Sequence, residues 1–196
     1  WVDGVGSAWR SSYRLEVGRM GTGVLRISNG GEVTAQHDTL VARYPGSAGT
    51  IDFQNGVLTT GGLVCGLELL TGTGTINTHG LVSDVDLIFD GTHGLSQTLL
   101  IADEPGQNIT VHMDVNGAGA TGAGFSSVGT MSVADGVTVA STDGYIGCRH
   151  GSTGEVSVEG PGSTWTNSWL AVGYHGCGTL EINNGGRTVS SDYGLI

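Results

Sequence analysis

Lysine is absent from this chain of 196 residues, and its seven basic residues, all arginine, face eighteen acidic ones for a net charge of −11. Nucleic acids and anionic membranes are held by basic faces that displace counterions, so an acidic, lysine-free surface speaks against both as partners. Five of the arginines crowd into the first quarter, at Arg10, Arg14, Arg19, Arg26 and Arg43. Charged residues of either sign make up 13%, about half the usual share of roughly 25%. The polar surface must therefore come mainly from Ser, Thr and Asn. Only three prolines are present, which excludes a collagen or a Pro-rich linker. Three cysteines are too few, and odd in number, for a disulfide scaffold. Cys65, inside Leu63-Val64-Cys65-Gly66-Leu67, reads as a core thiol. Cys148 and Cys177 fall in equivalent turn regions, and pairing between them is left open. No apolar run is long enough to span a bilayer, and no signal-peptide pattern is visible. The chain opens on Trp1 and stops at Ile196, each inside a repeat, as expected of a piece of a longer repeat protein.

What is abundant is glycine, with 37 residues against roughly 14 at average usage. Turn dipeptides punctuate the chain at Asp3-Gly4, Asn29-Gly30, Asn55-Gly56, Asp90-Gly91, Asn116-Gly117, Asp135-Gly136, Glu159-Gly160 and Asn184-Gly185. Most steps are about 24–26 residues, and Asn and Asp tolerate the positive φ that sharp turns need. Between turns the pattern alternates: Val85, Leu87 and Phe89 share one strand face, and one period later Val111, Met113 and Val115 fall on the same face, as if stacked on them. No segment carries a 3.6-residue period. Alternation that keeps its phase from repeat to repeat predicts stacked coils around an apolar interior. The expectation is one all-β domain over residues 1–196, a right-handed parallel β-helix (β-solenoid) of roughly eight coils of about 25 residues. At about 4.8 Å per stacked strand it would be a rod of roughly 40 Å. A sandwich of hairpins would also use Asn-Gly and Asp-Gly turns, but it does not explain similarity at one coil-length period.

The repeats also resemble a known family. Val2-Asp3-Gly4-Val5-Gly6-Ser7-Ala8-Trp9, Leu15-Glu16-Val17-Gly18 and Gly21-Thr22-Gly23-Val24-Leu25-Arg26-Ile27-Ser28-Asn29-Gly30-Gly31 return near the other end of the chain. There they read Val158-Glu159-Gly160-Pro161-Gly162-Ser163-Thr164-Trp165, Leu170-Ala171-Val172-Gly173 and Gly176-Cys177-Gly178-Thr179-Leu180-Glu181-Ile182-Asn183-Asn184-Gly185-Gly186. This string resembles the repeats of autotransporter passenger-like β-helix proteins of bacterial surfaces, including those of planctomycete-type organisms. The segment from Gly72 to Asp84 looks like the insert such proteins carry between repeat blocks, while residues 35–70 and 95–125 match least. The resemblance implies an extracellular adhesin, matrix or envelope component and brings no catalytic motif with it.

Candidate chemistry is sparse. Asp84 and Asp86 lie on one strand face, and the expected stacking sets Thr110, His112 and Asp114 beside them, the best polar cluster in the chain. Paired carboxylates of this kind serve polysaccharide-cleaving enzymes, but alternating strands expose such residues in any case. Gly117-Ala118-Gly119-Ala120-Thr121-Gly122 matches a dinucleotide fingerprint, which requires a following helix that the pattern does not show. His37, His79, His93, His112, His150 and His175 have no metal-ligand spacing, although His150 and His175 occupy similar turns. Trp9 and Trp165 hold equivalent repeat positions and are expected to pack. Trp169 and Tyr174 fall in the variable part of the coil and are expected to be more open. Asn108-Ile109-Thr110 is a lone glycosylation sequon. No catalytic, cofactor-binding or metal-binding residue is assigned. The expectation is a non-enzymatic extracellular structural or adhesive rod, joined end to end with its own kind or with further coils. A carbohydrate-active or glycan-binding module is the alternative.

Overall fold

Short β-branched stretches between glycine corners can bury one face only against neighbouring strands. The computed structural model, which describes residues 1–196, is 59% strand. It has no α-helix, only one 3-10 turn at Leu67–Leu69. No helix is long and apolar enough to cross a membrane.

Three sheets form. In the first, Val2–Asp3, Thr22–Ser28, Ala48–Thr60, Leu70–Thr78 and Asn108–Asp114 follow one another, with Ala8–Ser11 and Glu32–Ala35 alongside. The second takes Leu15–Val17, Thr39–Val41, Leu63–Val64, Leu81–Ser83, Thr121–Ala123, Asp143–Ile146 and Thr164–Val172 in turn, with Arg187–Leu195 and Thr138–Ala140 on the last of these. The third stacks Asp86–Phe89, Val128–Val133, Thr153–Glu159 and Cys177–Asn183. All pairings are parallel except Ser96–Ile101 against Asn108–Asp114. Parallel neighbours this distant in sequence mean that the chain completes a circuit before returning to the same face, as in a β-solenoid. Hydrogen-bonded pairs record the circuit: Ser28 with Asp3 at 25 residues, Arg26 with Asp52 at 26, Trp165 with Ser141 at 24 and Asn184 with Glu159 at 25.

Inward residues stack into columns. Val33, Leu58, Ile76 and Val111 make one, and Leu87, Met131, Val156 and Leu180 another. These columns merge into one core of 32 buried residues running from Leu15 to Val172. The Leu-x-Val-Gly element marks the corner after second-sheet strands. Gly18 and Gly173 have φ of 68° and 72°, where a Cβ is disfavoured.

Three expectations are corrected. The strand Asp86–Phe89 pairs with Val128–Val133, not with 110–115, so Leu87 stacks on Met131. The reason is an excursion at 90–107. Its strand Ser96–Ile101 doubles back and occupies the edge of Asn108–Asp114 that a following coil would take. Alternation identifies a buried face but not which strand lies beside it. The segment that leaves the stack is this excursion; the Gly72–Asp84 region, expected to be an insert, supplies two stacked strands, Leu70–Thr78 and Leu81–Ser83. Asn55-Gly56 is not a corner. Asn55, at φ 62°, lies within Ala48–Thr60, and the register shifts there against both neighbouring strands, as at a bulge.

The second sheet has an unusual outer face. Leu40, Val64, Val82, Gly122, Tyr145 and Ala171 lie in register along it. With Ala120, Phe125 and Cys148, all of them but Gly122 form a second buried cluster. Thr39–Val41 and Asp143–Ile146 are four strands apart, about 19 Å in a flat sheet at about 4.8 Å per step. Yet Arg43, just past the first, donates through Nη2 to the Tyr145 hydroxyl at 2.9 Å, and Arg14 lies 3.5 Å from Asp143. The sheet therefore folds toward its own outer face. Within this sheet Gly122 lets the Tyr145 backbone come close: a Cβ built on it would collide with the carbonyl oxygen of Tyr145.

Candidate functional site

The polar cluster expected from Asp84, Asp86, Thr110, His112 and Asp114 is dispersed. Asp84 follows the Leu81–Ser83 strand and closes the loop after Thr121–Ala123. Its Oδ1 accepts the backbone N–H groups of Phe125, Ser126 and Ser127 at 2.7, 2.9 and 2.9 Å, and its Oδ2 accepts the Ser126 hydroxyl at 2.6 Å. Asp86 accepts from Thr130 Oγ1 at 2.7 Å. On a different sheet, Asp114 accepts from Ser96 Oγ at 2.6 Å, and His112 Nδ1 meets Thr98 Oγ1 at 3.1 Å. Thr110 stands between Thr75 and Leu100. These carboxylates hold local hydrogen bonds and do not converge on a shared volume. No group of three or more His, Cys, Asp or Glu side chains is placed to hold a metal ion. The glycine run at 117–122 leads into the strand Thr121–Ala123, so no helix N-terminus follows it. Asp90 caps its own turn, accepting from the backbone N–H of Thr92 and His93 at 2.9 and 2.8 Å. The hydrogen bonds from His93 keep its carboxyl below the ordinary 3.8.

What the structure brings together lies on the folded second sheet. Tyr145, Trp169 and Tyr174 pack edge to face, with ring centroids 5.0 Å apart for Tyr145–Trp169 and 5.6 Å for Trp169–Tyr174. Trp169 and Tyr174 are thus half-buried rather than open. Burial pushes the Tyr145 phenol well up, against the opposing pull of Arg43. Burial likewise raises the Cys148 thiol to about 11. Cys148 is buried in this cluster, Cys177 is exposed, and both are free thiols. On one flank Arg14 bridges Asp38 at 3.7 Å and Asp143 at 3.5 Å. Burial and then Asp38 raise the Asp143 carboxyl above 3.8, against the opposing pull of Arg14 and Arg43. On the other flank Arg43, Arg149, His150 and His175 meet around a small cavity. The sequence held a signal for this cluster. Leu40-Val41-Ala42, Leu63-Val64-Cys65 and Leu170-Ala171-Val172 are apolar without alternation, the mark of strands buried on both faces.

The two ends of the stack form the other notable surface. Trp9 and Trp165 share an inward register, but Trp165 is wholly buried while Trp9 is 45% exposed. At the far end Ile182 is 48% exposed, whereas Val158, its partner one circuit inward, is 0% exposed. Beside Trp9 the interior opens into a hollow of about 200 Å³ whose lining includes Trp1, Trp9, Leu15, Val17 and Leu25. No family model, curated protein or solved structure matches the chain.

Proposed function

We propose that this chain is a right-handed parallel β-helix of roughly eight coils. It serves as a non-enzymatic structural or adhesive rod of an extracellular layer, matrix or filament, extended through its strand ends. The observation that carries this reading is the exposure of inward residues at both ends. Trp9 and Ile182 occupy positions that are buried one circuit further in, and the outer edges of Val2–Asp3 and Cys177–Asn183 have no strand beside them. Unpaired edges with apolar interior residues beneath are templates for further strands. Burying the rest of Trp9 alone would remove about 100 Å² from water, about 2.5 kcal/mol. The occupant we assign is a further parallel coil, supplied in a purified sample by a second copy of this chain. The lysine-free acidic surface and the resemblance to bacterial surface repeats point to the same role. Electron micrographs of the purified protein test it. Rods joined along their long axis are expected. Isolated particles of the size of one 19.9 kDa chain at every concentration would overturn the reading.

A further inference from the structure

Arg43 is nearly buried, at 8% exposure, and belongs to no ion pair, whereas Arg14, Arg19 and Arg26 each face a carboxylate. Its one side-chain hydrogen bond goes from Nη2 to the neutral Tyr145 hydroxyl, and its Nε is buried without an acceptor. The rings of Tyr145, Tyr174 and Tyr44 lie 5.0, 5.3 and 5.8 Å from the guanidinium carbon. Aromatic faces stabilise a cation, but they accept none of its in-plane N–H bonds in the way an oxygen does. A guanidinium has five such donors and keeps its charge in proteins. A buried one with a single neutral acceptor is electrostatically incomplete.

A cavity adjoins this guanidinium. A cavity of about 170 Å³ beside Arg43 is lined by Arg43, Pro45, Gly46, Arg149, His150 and His175, with no carboxylate among them. Arg149 also lacks an ion-pair partner. Its backbone is fixed by N–H donation to the Phe125 carbonyl at 3.0 Å, and its guanidinium carbon lies 5.7 Å from the Phe125 ring. His175 is held against the Tyr174 ring at 4.3 Å. Two of the seven arginines and two of the six histidines thus converge from three separate segments in a chain of net charge −11.

We propose that this cavity is an oxyanion site that takes one sulfate or phosphate group, free or as an ester on a larger molecule. Arg43 and Arg149 are its principal donors, and His150 and His175 complete it. Donors arriving from three segments suit the spread oxygens of a tetrahedral group better than a planar carboxylate. The acidic surroundings repel an extended polyanion and favour a single compact group.

The test is a titration of the isotope-labelled chain, at constant ionic strength, followed by NMR at the arginine Nε–H signals. The probes are sodium sulfate, sodium phosphate, a sulfated disaccharide and its desulfated counterpart. Saturable shifts of the Arg43 and Arg149 signals are expected, and in Arg149→Gln the Arg43 signal should report binding at least about tenfold weaker, with an unchanged circular dichroism spectrum. Arg149→Gln is preferred to Arg43→Gln, because Arg43 also joins the two halves of the folded sheet. Tighter binding of the sulfated disaccharide than of inorganic sulfate would support the site and assign it to an ester. Equal binding would support it as a site for the free ion. No saturation by any probe up to about 50 mM, or binding undiminished in Arg149→Gln, would overturn the proposal.

Discussion

Asp84→Ala separates a structural carboxylate from a catalytic one. The Asp84 carboxylate accepts three consecutive backbone N–H groups and a serine hydroxyl. A hydrogen bond to a charged group contributes about 1.5–3 kcal/mol, less where water can replace the acceptor. Ser126 and Ser127 are partly open to solvent while Phe125 is buried, so the full sum does not apply. The loss on truncation should be about 3 kcal/mol, or about 6–12 °C in melting temperature for a chain of this length. Asp84→Asn keeps one acceptor oxygen but turns an amide donor toward the Ser126 N–H and hydroxyl, so about half that loss is expected. Thermal melts followed by circular dichroism give the stability, and amide exchange at residues 125–127 reports the clamp directly. A melting temperature within about 1 °C of wild type, with unchanged exchange at those amides, would refute the reasoning. Loss of a polysaccharide-cleaving activity at unchanged stability would do so as well.

Trp165→Ala should cost about 3–5 kcal/mol in a denaturant melt, because it empties a fully buried site and leaves the Ser141 hydroxyl without its indole donor. Trp9→Ala, at the equivalent but half-open position, should cost about 1 kcal/mol; equal costs would contradict the end-exposure argument. Asp143→Asn should melt above wild type at pH 7. A raised folded-state pKa means that the native state pays for ionisation as pH rises through it, and asparagine cannot ionise. Below 3.8 the two proteins should converge, and a lower melting point for Asp143→Asn at pH 7 would reverse the sign assigned. Gly122→Ala should prevent the second sheet from folding over. Loss of the slow amide exchange of Tyr145 and Ile146 would report it, and wild-type exchange would refute it.

Much of the fold was legible because its cause is local. The Asp/Asn-Gly turns set most corners, and Gly4, Gly136 and Gly185 each take a positive φ as such turns require. Leu87, Phe89, Val111 and Met113 face inward as their alternation demands. Neighbour identity is not local. Asp86 pairs with Thr130, 44 residues on, because the excursion at 90–107 intervenes, and nothing in either strand records the other. Which residues meet in the aromatic–arginine cluster was illegible for the same reason: Arg43 and Tyr145 are 102 residues apart and meet because the sheet folds toward its outer face. Unbroken apolar runs such as Leu40-Val41-Ala42 signalled that something covers the outer side, but not that the sheet covers itself.

The most direct test of the account is sedimentation of the wild-type chain beside Ile182→Lys. Ile182 points inward on the outermost strand of the third sheet and is 48% exposed. A lysine there leaves the coil's own pairing intact and sets a charge where the next coil must bury an apolar side chain. The mean mass of the wild type is expected to rise with concentration while Ile182→Lys stays shorter, capped at that end. Equal, concentration-independent monomer masses for the two proteins would contradict it.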